Sequence, residues 1–151
     1  RGPQVQSTGR RHPGATQMEF TTRLGYQDGD RGCTVVKAQV TVDAKVILPR
    51  WRHRSGADSD TRMVWDTLSA DIKRHEESHV VIARNHAREL EAELKAIGRQ
   101  KDCKAAAARA KVITAAVLKR HDEAQDQFDR IEGINFESRL LRLLQFRMEK
   151  G

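Results

Sequence analysis

Between Asp58 and Gly98 the chain contains neither proline nor glycine, and this run restricts the possible folds more than any other feature. A helix entered through an Asp58 or Ser59 cap can continue the whole way, about 39 residues and close to 60 Å at about 1.5 Å per residue. Along it Leu68, Ile72, His75, His79, Ile82, His86, Leu90 and Leu94 recur at steps of three and four, so one stripe must face a partner. Near the middle of that stripe the sequence reads RHEESH, from Arg74 to His79. His75 and His79 fall one turn apart on the same face, and Glu76 directly follows the first of them.

Two neutral imidazoles so placed can share one Zn²⁺ ion, and a neighbouring carboxylate can take a proton from a metal-bound water. The HExxH spacing therefore predicts His75 and His79 as metal ligands and Glu76 as general base. The competing reading is a pair of core histidines satisfied by hydrogen bonds.

A hydrolytic zinc site needs a third protein ligand and one open position. His86 shares the stripe, but an unbroken helix sets it about 13 Å along the axis from the middle of the pair, beyond the reach of an imidazole. No glycine between Val80 and Asn85 could turn the chain back, so His86 is expected in the cleft, behind the ligands or in the core. A second helical pattern starts near Cys103, with Ala106, Ala110, Ile113, Val117, His121, Ala124, Phe128 and Ile131 on one face. With the intervening turn centred near residue 100 or 101, residues 122 to 126 lie opposite His79 to His75. His121 is the inward histidine of that neighbourhood and the expected third ligand, a buried hydrogen-bonded histidine being the alternative. Asp122, Asp126 and Asp129 are carboxylate alternatives, with Asp122 and Asp129 expected in the cleft or behind the ligands.

Ahead of the helices, residues 1–17 read as an arm rich in Gly, Pro, Ser, Thr and Arg. Alternation over Met18 to Tyr26 and over Val36 to Leu48, around a turn at Asp28 to Gly32, predicts a β-hairpin. Pro49 stops the second strand, and Trp51 lies in the loop that follows, able to line a site entrance or to anchor the loop. After the second long helix, Gly133 and Asn135 predict a break, then a short amphipathic helix over about 136–149. Its Leu140, Leu141, Leu144, Phe146 and Met148 would pack on the domain or on a second copy. The fold class is thus α+β: an N-terminal hairpin or small antiparallel sheet on a long antiparallel helical pair, with strands over about 18–48 and helices over about 59–98, 103–132 and 136–149. Residues 18–151 form one domain.

Low aromatic content, 5% against 38% hydrophobic, suits a helical protein built on Ala, Leu and Val. No apolar run is long enough for a membrane span. The net charge of +7 is scattered rather than gathered in a stripe, so a solvated surface is a better reading than nucleic acid. The chain begins with Arg1 and carries no signal peptide, as expected of a mature fragment or of a chain given without its leader. Cys33 and Cys103 form no CxxC pair; a disulfide between them and two reduced thiols are both open.

Taken in order, Ala15 to Gln17, Cys33 with Val35, Leu48 to Trp51, Trp65 ahead of HEESH, Cys103, and Phe128 with Asp129 carry a further signal. Over about residues 10 to 133 they resemble a bacterial family of predicted secreted zinc-dependent proteases, formerly a domain of unknown function. The resemblance implies a zincin-like, periplasmic or secreted metallopeptidase, with the two cysteines bridged. Ser78 departs from the small residue, usually glycine, before the second motif histidine. Gly133, Ile134 and Asn135 occupy the region where the family tends to place a downstream His-Gly. The expected function is hydrolysis of peptide bonds with one Zn²⁺ ion. The alternative is a non-catalytic envelope interaction protein with a structural metal or none.

Overall fold

The computed structural model describes residues 14–150, together with the backbone of Gln4 and Val5. A three-stranded antiparallel sheet in the order β1 (Gln4–Val5), β2 (Ala15–Gly29), β3 (Gly32–Ile47) precedes two long helices, α1 (Ser59–Lys95) and α2 (Cys103–Lys150). The α+β class stands. Most of the arm expected over residues 1–17 lies outside the described residues; of the rest, Ala15 to Gln17 already belong to β2.

Asp30 and Arg31 make the hairpin turn, and Gly32 follows at φ 125°, where a Cβ would come within 2.2 Å of the Gln100 carbonyl oxygen. The strand register slips between Gly25, which pairs with Lys37, and Tyr26, which pairs with Val35. Val36 is the extra residue of that bulge, so it is 59% exposed instead of pointing inward as simple alternation predicts. The inward face consequently changes parity, from Cys33 and Val35 to Ala38 and Val40.

Asp58 caps α1 by accepting a hydrogen bond from the Thr61 amide, 2.7 Å. Trp51 packs edge-on to Trp65 of α1 with ring centroids 5.5 Å apart, which fastens the loop after β3. Beyond α1 the connection is extended rather than a tight turn: Cys33 and Gln100 exchange both backbone hydrogen bonds at 2.8 Å, and Cys33 is disulfide-bonded to Cys103. Val35, Ala38, Leu90, Leu94, Ile97, Ala110 and Val117 form the apolar core at this end. The other half of the helical pair buries polar groups instead: Thr67, Asp71, His75, Glu76 and His79 from α1, and His121, Gln125 and Asp129 from α2.

The separate helix expected over 136–149 is corrected, because α2 runs unbroken through Gly133 and Asn135 to Lys150. A helical glycine costs only about 1 kcal/mol, and Arg139 ties this stretch to α1 through Asp71 at 2.9 and 3.0 Å. Of the apolar residues expected to pack there, Leu141, Phe146 and Met148 are exposed, while Leu140 and Leu144 are half-buried. Among the described residues no helix is long and apolar enough to cross a membrane.

Candidate metal centre

His75 and His79 emerge from successive turns of α1 with their Nε2 atoms 3.3 Å apart. Asp129 of α2 reaches between them, its Oδ1 lying 2.8 Å from His75 Nε2 and 2.7 Å from His79 Nε2. Among the described residues this trio is the group of histidine, cysteine and acidic side chains able to hold a metal ion. Donor atoms of a tetrahedral zinc ion, bonded at about 2.0–2.1 Å, stand about 3.3 Å from one another. The histidine pair already has that spacing, and the carboxylate would have to draw back by about half an ångström. Asp129 Oδ2, the other oxygen of the same carboxylate, is buried without a hydrogen-bond partner among the described residues. The donor set, two imidazoles and a carboxylate, suits zinc.

The far sides of both rings are held. His75 Nδ1 lies 3.1 Å from Glu132 Oε1, and His79 Nδ1 lies against Gln125 Oε1. With Nδ1–H donating outward, each Nε2 is turned to the shared centre, where it donates to Asp129 in the metal-free protein and, once deprotonated, has the orientation a metal ligand needs. Glu132 is itself held by Arg74 and Arg139, and the same two arginines bind Asp71.

Burial alone would push the His75 imidazole down, but hydrogen bonds to Asp129 and Glu132 and the negative charges of Asp129 and Glu76 hold it above its ordinary value of 6.5. Burial likewise opposes ionisation of Asp129, yet the two histidines hold its carboxyl far below the usual carboxylate range. The centre attracts positive charge, whether a proton or a metal.

Glu76 is 2% exposed beneath the start of β2. The Thr16 hydroxyl stands 2.8 Å from its Oε1 and 3.1 Å from its carbonyl oxygen, and its charge acts on His75. Phe128 stacks on the His75 ring and meets His79 edge-on, with centroids 4.9 and 5.1 Å apart. Glu77 and Ser78 turn outward, as their helical positions require.

His121 is not one of the converging ligands. It is fully buried, with its ring 4.8 Å from Phe20 and 5.5 Å from His86, and it bonds Gln125. The helix pairing sets Gln125 beside His79 and Asp129 beside His75, about three positions further along α2 than a tight turn gives. The extended connection carries the start of α2 beyond the end of α1 and produces that offset. His86 hydrogen-bonds the Ile82 carbonyl oxygen at 2.8 Å, away from the trio. Asp122 is a half-exposed neighbour of His121. Sequence reasoning missed Gln125 and Glu132 and assigned Thr16 no role. A signal for the first two existed: His121, Gln125 and Asp129 recur every four residues and Glu132 follows three later, a polar stripe one position off the one drawn through Ala124, Phe128 and Ile131.

The fold and the site define a class: an α+β protein in which two antiparallel helices beneath a small sheet bury a His-His-Asp trio. Residues 1–137 match the family described as bacterial protein of unknown function (DUF922), and the chain belongs to that family. No curated protein and no solved structure matches it.

Proposed function

We propose that the protein is a zinc-dependent hydrolase of peptide bonds, with His75, His79 and Asp129 holding the ion. The observation that carries this is the convergence of two outward-anchored imidazoles and a carboxylate on one point, beside a buried glutamate. Bound zinc would supply Lewis acidity and lower the pKa of a coordinated water. Glu76 serves as general base, taking the water's proton and delivering it to the leaving amine. Thr16 steadies the Glu76 carboxylate. Phe128 walls the rings from solvent and strengthens electrostatic interactions at the centre. The Cys33–Cys103 bond supports a periplasmic or secreted location, where disulfides persist.

The test is metal content and peptidase activity, measured side by side. Protein purified without added zinc should carry about one ion per chain, and His75→Ala should lose it. Glu76→Gln should keep the ion and lose turnover by at least about 100-fold; undiminished turnover in that variant rules the mechanism out. One observation favours a second reading, a structural metal in a non-catalytic envelope protein: the three donors are only 1–9% exposed. A cobalt-loaded protein with four protein donors and no exchangeable water would decide for it.

A further inference from the structure

We infer that His121 is a positioning residue that acts on the metal centre at one remove, by fixing Gln125 and through it the tautomer of His79. The inference rests on the metal-binding reading above. Gln125 Nε2 stands 2.9 Å from the His79 carbonyl oxygen, which can only accept, so this end of the amide is its NH₂ group. Its second N–H meets His121 Nε2 at 3.0 Å and the weaker acceptor Met18 Sδ at 3.8 Å; the nearer and stronger acceptor takes it, which makes His121 Nε2 the unprotonated ring nitrogen. The His121 proton accordingly sits on Nδ1, 3.1 Å from the Asp122 carboxylate that accepts it. At the other end of the amide, Gln125 Oε1 has only lone pairs to offer His79 Nδ1, so that nitrogen carries a proton, and His79 Nε2, which donates to Asp129 in the metal-free protein, is the nitrogen left for a cation to take over.

The relay thus runs from Asp122 through His121 and Gln125 to His79, and each link admits one direction of donation. Gln125 and His121 are both fully buried, so water does not substitute for a lost partner. Rotation of the Gln125 amide by half a turn would set its oxygen against the His79 carbonyl and its NH₂ against His79 Nδ1. That imidazole would then present Nε2–H, which cannot bind a metal. His121, replaced by a side chain without an acceptor, leaves that buried N–H only the weak Met18 sulfur and frees the amide to leave this arrangement. Phe20 and His86 pack against the ring and hold it in place.

The experiment is cobalt(II) titration of the purified chain, read by its visible absorption, with histidine-selective ¹⁵N NMR of the metal-free protein. Gln125→Leu and His121→Leu should each bind cobalt about 10–100-fold more weakly than wild type. His121→Gln, whose side-chain carbonyl can still accept from Gln125, should recover affinity to within about threefold. In wild type the NMR spectrum should show His121 protonated on Nδ1 only. Wild-type affinity in His121→Leu, no recovery in His121→Gln, or an Nε2–H tautomer at His121 overturns the inference while leaving the metal reading intact. Failure of the wild-type chain to take cobalt overturns both. Circular dichroism identifies a leucine variant that does not fold, and the glutamine variant and the wild-type tautomer then decide the matter.

Discussion

At the residue scale, the charges around His75 make the metal-free protein sensitive to pH at both ends. The His75 imidazole is held above 6.5 in the folded state, so its contribution is complete below that value and is lost as pH rises through the folded pKa. Asp71 behaves oppositely. Burial resists its ionisation, but Arg139 and Arg74 outweigh burial and hold it below its ordinary 3.8. Its contribution is present above 3.8 and disappears as pH falls through the lower folded value. Melting temperature measured with chelator present should fall on both the acid side and the alkaline side of a plateau. Because a ligating imidazole must be neutral, metal affinity should rise with pH across the same alkaline limb that weakens the free protein. Chelated protein whose melting temperature stays flat from about pH 6 to 8 would contradict this account of His75.

At the element scale, the two helices show what a linear pattern conveys and what it leaves out. The α1 stripe was legible because Leu90 and Leu94 pack the apolar core while His75 and His79, on the same face, are buried by α2. For α2 the stripe was legible as far as His121; beyond it the buried residues are Gln125 and Asp129, and Ile131 is 48% exposed. Apolarity marks a buried face only where the partner face is apolar, and here the facing residues are imidazoles and a carboxylate. Which α2 side chain meets His75 and His79 depended on helix offset, which a backbone bridge to Cys33, remote in sequence, helps to set. Nor does Gly133 end α2, because its conformation is helical and Arg139 continues the contact with α1. Gly133→Ala should therefore stabilise the protein by about 0.5–1 kcal/mol in urea unfolding. A glycine closing one helix in a left-handed conformation would give a loss instead.

At the scale of the whole molecule, an apolar core and a polar centre occupy opposite halves of one helical pair, and different devices secure them. The disulfide joins β3 to the first residue of α2 across 70 positions, at the apolar end. Closing a loop of that length restricts the unfolded chain by about 4 kcal/mol in the entropic treatment. At the polar end Asp129 Oδ2 lacks a partner among the described residues, and three donors are held within reach of one ion. Metal should therefore act as a second cross-link between α1 and α2. Zinc at about 100 times its dissociation constant should add about 2.7 kcal/mol, and tenfold more zinc a further 1.4 kcal/mol or so. The two devices act at opposite ends, so their effects should be close to additive. Replacing both Cys33 and Cys103 with serine should lower the melting temperature with and without zinc by similar amounts, and the zinc-induced rise should survive the substitution. Loss of that rise in the serine variant would mean that the apolar end governs the helix offset on which His75, His79 and Asp129 depend.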